Sequence, residues 1–274
     1  MSNSCVHVHR ERHDRNMHAS PETTQATLCP NCGMEGTLTF CPRCGQKRPD
    51  PHDYSLGHFF HDAFHELFHV DGKIGRTFQT MLRTPGQITK DYWEGRRGRY
   101  LTPFRIYLLA TAAFFVFGRI IAPEANPQTL PAGISPTLFE ARFQLLYKGL
   151  LVLSNGGLAL LFHLLLGRQR PFGASLIPAL HTMSVLFTLS LLAQKLEDVL
   201  RPWWSLPPGT LGLAAVAVLY WPYVALSIKR WSGAGWGRVV GRMVLLAVGT
   251  SVIDGLVYAA TLRLAILTLG RGSQ

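Results

Sequence analysis

Hydrophobic and polar positions divide this chain near residue 105. Beyond that point apolar runs recur at about 105–122, 145–166, 175–195, 210–228 and 240–266. Each has roughly the 17 to 25 residues that a bilayer-spanning helix needs, the last slightly more. Before it the period shortens to that of amphipathic helices. In Ser55–Val70, Leu56, Phe60, Ala63, Phe64, Leu67, Phe68 and Val70 fall on one face. His58, His61, His65 and His69 form a stripe on the other, beside Asp62 and Glu66. A second stretch sets Ile74, Phe78, Met81 and Leu82 on one side and is interrupted at Pro85-Gly86, which lacks an amide donor and favours a turn. A short segment then groups Ile88, Tyr92 and Trp93, and Tyr and Trp suit the headgroup boundary.

The predicted fold is an all-α multi-pass membrane protein with about five transmembrane helices, a small N-terminal four-cysteine zinc ribbon and cytosolic amphipathic helices. The expected divisions are a disordered His-rich tail (1–27), the ribbon (28–48), a surface-helix segment (54–104) and a membrane domain (105–274).

Charge adds an orientation. The net charge of +11 divides unevenly: 14 basic against 11 acidic residues up to Arg105, then 13 against 5. Five crossings with the N-terminus inside put twelve span-flanking Lys and Arg on the cytosolic side and seven on the other, the bias expected of cytoplasmic loops. This predicts N-in, C-out. The first span is the weakest of the five, being short and containing Arg119. Just before it, Arg96, Arg97 and Arg99 are placed to meet lipid headgroups or to fix topology alone. With the excess charge in membrane loops and span ends, the high pI does not point to nucleic acid.

Five cysteines all precede the first span, and four form two pairs, Cys29-Pro-Asn-Cys32-Gly33 and Cys41-Pro-Arg-Cys44-Gly45. Two residues between thiols and a following Gly let each pair turn tightly and aim both sulfurs inward, so the two turns supply four ligands for a tetrahedral Zn2+. A segment this short cannot bury a sufficient core, and metal binding must supply its folding free energy. Four filled positions make the zinc structural rather than catalytic. The competing reading is a redox dithiol pair. If the N-terminus is cytosolic, the thiols stay reduced. Cys5 is a lone thiol in a tail that carries His7, His9, His13 and His18 but no apolar core, so no secretory signal is expected and the first span does the targeting.

The histidine stripe permits two further chemistries. His61, His65 and His69 recur at i, i+4, so neighbouring imidazoles can share a metal ion or sense pH; His65-Glu66-Leu67-Phe68-His69 is also a literal HExxH, the pattern of zinc proteases. A solvated polar face explains the same residues more simply. Within the spans, His163 and His181 lie about 6 and 9 Å from one end of antiparallel neighbours, where they can face each other. Asp254 lies about 20 Å along the last span, with Lys148 or Arg119 as candidate counter-ions. Ser154-Asn155-Gly156-Gly157 permits close helix approach.

The stretches CPRCGQKR, HELFHVDGKIGRTFQTMLRTPGQITKDYWEGRRGRYLTPFRIYLL, ALHTMSVLF and YVALSIKRWSG resemble the bacterial domain-of-unknown-function 3667 proteins. The resemblance implies a zinc ribbon ahead of a multi-pass domain in the bacterial inner membrane, and no assigned reaction. The expected function is non-enzymatic: an anchored interaction or sensing module whose ribbon docks a protein partner, in a bilayer that also accommodates a homo-oligomer. The alternatives are a small-molecule or ion carrier using His163, His181 and Asp254, and an HExxH protease.

Overall fold

The computed structural model describes residues 27–47, 73–118, 135–166, 171–203, 207 and 209–270. The His58, His61, His65 and His69 stripe, its HExxH and the N-terminal tail lie outside the described residues.

The chain begins with a two-stranded antiparallel ribbon, β1 (Thr27–Leu28) against β2 (Glu35–Gly36), in which Thr27 faces Gly36. Two short helices follow, α1 (Lys73–Arg83) and α2 (Gln87–Trp93). As Pro85-Gly86 predicts, α1 stops just before that pair. On α1 the buried side is Thr77 and Met81 with Ile74 and Phe78 packed beside them, whereas Leu82 is 50% exposed. Each helical residue turns about 100°, so Leu82 lies a quarter-turn beyond Met81, on the rim of the face to which the sequence assigned it.

Helix α3 (Pro103–Phe117) starts on a proline at its first position and ends at Gly118. Its 15 residues rise about 22 Å, short of a hydrocarbon core of about 30 Å. The first expected span is therefore shorter than 105–122, and it packs inside the protein, burying Ile106, Tyr107, Ala110 and Phe114. Four other helical stretches are long and apolar enough to cross a membrane: Pro136–Leu165, Phe172–Leu200, Thr210–Ser232 and Trp236–Leu269. The first comprises α4 (Pro136–Leu153) and α5 (Asn155–Leu166); the second is α6 (Phe172–Leu200). The third runs through α7 (Thr210–Ala215), a π-helical turn (Val216–Tyr220) and α8 (Trp221–Ser232). The last is α9 (Trp236–Gly270).

Helix α6 is the axis. From Gly173 to Val185 every residue is buried, as expected of a helix enclosed on all sides. It packs most extensively on α3 and α5. Helix α9 is its opposite, with Val240, Val244, Val248, Val252 and Leu256 exposed along its length. Such a continuous apolar exterior is incompatible with water and suits lipid.

Two tight junctions tie α2 to the bundle. Pro178 inside α6 has no N–H to give the carbonyl of Ala174, one turn earlier. That carbonyl instead accepts from Trp93 Nε1 at 2.9 Å. Replacing Trp93 with Phe should cost about 1–3 kcal/mol for the orphaned carbonyl; adding Pro178→Ala, which restores a helical donor, should recover much of it. Thermal melts of the single and double variants in detergent read this, and strictly additive losses would refute it.

The second junction is at Gly86, which has φ +75° and presents its carbonyl to Trp231 Nε1 at 2.9 Å. A Cβ there would lie 2.5 Å from Trp231 Nε1 and 2.8 Å from Ser227 Cα, in α8. Gly86→Ala should therefore destabilise by about 2 kcal/mol or more. In the same melts Gly75→Ala, where an added Cβ meets nothing within 4 Å, should be neutral or mildly stabilising.

Candidate metal centre and the loop it grips

Both Cys-Pro-x-Cys-Gly turns fold the same way. Gly33 N–H donates to Cys29 O and Gly45 N–H to Cys41 O, each at 2.8 Å, and each closing glycine takes a positive φ, +74° and +69°. Cys29 N–H in turn reaches Met34 O, and Cys41 N–H reaches Gln46 O, both at 2.9 Å. The repeated geometry faces the turns toward each other. Cys29 Sγ lies 3.7 Å from Cys44 Sγ, and Cys32 Sγ 3.5 Å from Cys41 Sγ, with all four sulfurs within 4.8 Å of one another. Zinc–sulfur bonds of about 2.3 Å in a tetrahedron set sulfurs about 3.8 Å apart. The cluster can therefore hold one metal ion. Cys29 and Cys41 are buried and none of the four is in a disulfide. The Asn31 amide, with the Gln46 N–H behind it, pulls the Cys44 thiol down to about 6, which favours the thiolate that a metal binds.

The same two turns grip the arginine loop that precedes α3. Gln46 lies next to the second closing glycine; its Nε2 donates to Gly95 O while its Oε1 accepts from Gly98 N–H at 2.7 Å. Asn31, between the cysteines of the first turn, accepts from Arg99 through its Oδ1 at 3.2 Å and its backbone O at 3.3 Å. One amide side chain thus touches both a cysteine and an arginine. A Cβ on Gly98 would come within 3.1 Å of Gln46 Oε1 and 3.2 Å of Asn31 Nδ2, so the approach suits glycine.

Behind the loop, Asp91 is the fixed point. It is buried, and its Oδ1 accepts from Gln87 Nε2 at 2.8 Å and from Arg96, while its Oδ2 accepts from Tyr100 OH at 2.9 Å. Asp91 raises the guanidinium pKa of Arg96. Burial first, and the Asp91 bond second, push the Tyr100 hydroxyl up. Arg96 also pairs with Glu94, and Arg97 stacks 5.0 Å over the Tyr92 ring. Where the sequence suggests lipid phosphates for Arg96, Arg97 and Arg99, the structure gives each a protein group. Sequence reading passed over Asn31, Gln46 and Asp91; their partners on the loop or in the ribbon are invisible to local pattern, and only the polar residue inside or just after each Cys-x-x-Cys-Gly hinted at them.

The intramembrane residues are not assembled into one path. His181 is buried, with Nδ1 2.7 Å from Thr89 Oγ1 in α2. His163 instead reaches Ser175 Oγ, at 3.3 Å, and packs edge-on against Phe172. Ser175 lies about 9 Å before His181 along α6, so the expected facing of the two imidazoles gives way to separate partners. Lys148 directs its ammonium to Phe115 O at 3.2 Å, at the end of α3, rather than to Asp254. Arg119 lies outside the described residues. Asp254 lines a cavity that neither histidine reaches. The glycine-rich stretch does bring helices together: a Cβ on Gly157 would lie 3.0 Å from Ile253 Cδ1, and one on Gly249 2.7 Å from Leu161 Cδ1.

Fold and site together define a multi-pass helical membrane protein with an N-terminal cysteine cluster able to bind a metal. The family model described as "Protein of unknown function (DUF3667)" matches residues 71–115, the segment that contains α1, α2, the gripped loop and most of α3. No curated protein and no solved structure matches the chain.

Proposed function

We propose that this protein is a membrane-anchored interaction module in which a structural zinc ion shapes the ribbon, and the ribbon, held against the arginine loop, docks a protein partner. The observation that carries this reading is the pair of hydrogen bonds between Gln46 and the loop residues Gly95 and Gly98, which fixes the ribbon to the segment that leads into α3 rather than leaving it a tethered bead. With that side engaged, the ribbon still exposes Leu28, Leu38 and Phe40, at 64%, 62% and 58%, a concentration of apolar surface suited to a protein contact. Four thiolates leave zinc no open coordination position, which favours a non-enzymatic role.

The reading assigns the ribbon to the cytosolic face of a bacterial inner membrane. Arg230, near the end of α8, donates to Pro85 O, so its basic residues share an end of the bundle with the ribbon, and such a cluster favours the cytoplasmic side. The test is a photo-crosslinking residue at Phe40 in cells producing the full chain. A discrete protein adduct that disappears when Cys29 and Cys41 are replaced by Ser is expected. Absence of any adduct that depends on the cysteines would overturn the proposal.

A further inference from the structure

The far half of the bundle holds a cavity of about 450 Å³, within the size range of small-molecule sites. Helix α3 contributes its last turn to the wall, where Phe114 stacks on Phe187 at 5.0 Å. The walls are apolar, with Leu151, Leu158, Met183 and Leu186 among them. Against them stand a few polar groups, Ser190 and Gln194 from α6 and Thr250 and Asp254 from α9.

Two features mark this as a built site rather than loose packing. The π-helical turn Val216–Tyr220 borders it through Val216 and Tyr220, and such turns recur where a helix is reshaped for function. Next to that turn, Gly209 and Gly212 line the cavity, and a Cβ on Gly212 would meet nothing within 4 Å. Side-chain volume is withheld along this wall.

Asp254 is the one charged residue among those lining the cavity, and Lys148, the described cation expected to neutralise it, is turned to Phe115. A carboxylate at membrane depth calls for a cation or a proton. We infer that this cavity is a binding site for a lipophilic amine, its apolar body against the Leu and Met walls and its ammonium on the Asp254 carboxylate, with the hydroxyls of Ser190 and Thr250 as acceptors for its remaining N–H groups. The inference is independent of the ribbon and its partner.

The test uses the full chain in detergent micelles, titrated with dodecylamine or with dodecanol of equal chain length, with bound molecules counted by native mass spectrometry. One saturable amine site is expected, at least tenfold tighter than for the alcohol. Asp254→Asn should weaken amine binding at least tenfold and leave the alcohol unchanged. Gly212→Leu, which fills the open space, should weaken both. Equal affinity for amine and alcohol, or an Asp254→Asn variant that binds the amine normally, overturns the inference. Should Asp254→Asn fail to fold, Gly212→Leu decides: unaltered amine binding there overturns it as well. A co-purifying phospholipid that the amine does not displace also counts against it.

Discussion

Replacing Cys29 and Cys41 with Ser should remove one zinc per chain and release the arginine loop. Both side chains are 1% exposed, and each belongs to a different turn, so the substitution leaves no turn with two ligands. The ribbon's pairing consists of two-residue strands and a single bridge between Phe40 and Lys47, far too little apolar burial to fold without metal. A structural zinc, as proposed, would bind with an apparent free energy of about 10–16 kcal/mol, and its loss should unfold the segment. Gln46 and Asn31 then let go of Gly95, Gly98 and Arg99, and trypsin should cut at Arg96, Arg97 or Arg99 at least tenfold faster in the variant. Metal analysis of the purified full chain supplies the other readout. One equivalent falling to near none supports the ribbon as the tight site. A full equivalent that survives the substitution would sink this assignment and direct attention to His58, His61, His65 and His69.

The second large effect is expected at Asp91. Asp91→Ala deprives Gln87, Arg96 and Tyr100 of a shared acceptor at a buried position. Breaking a buried charged pair costs about 3–5 kcal/mol, and because the Arg96 side chain is 30% exposed and can rehydrate, the lower end applies. Glu94→Ala removes another partner of Arg96 at a site whose side chain is 40% exposed, and should cost under about 1 kcal/mol. Thermal melts of the two variants side by side give the comparison; equal losses would show that Asp91 is not the fixed point of the loop.

Periodicity and spacing carried the parts of this molecule that are local. Two Cys-x-x-Cys-Gly turns imply four converging sulfurs because the turn itself aims them, and long apolar runs imply spanning helices because length and composition suffice. What pattern missed depends on neighbours distant in the chain. The apolar run of α3 reads on past Gly118 and Arg119 through Ile120 and Ile121, yet the helix stops at Gly118. His181 on α6 looked toward His163 on α5 because the two spans are antiparallel, but which face His181 occupies follows from the rotation of α6, and Thr89 on α2 takes that face. Pro178 could be read as a missing donor from sequence alone; that Trp93 supplies the replacement could not.

The enclosure of α6 has a consequence for biogenesis. A ribosome delivers α3 before the helix it packs on most extensively, Phe172–Leu200. Until then α3 is too short to hold a transbilayer position by itself. The nascent chain is therefore expected to hold its first apolar helix beside the insertion machinery or at the membrane surface until the later segment that encloses it has been made.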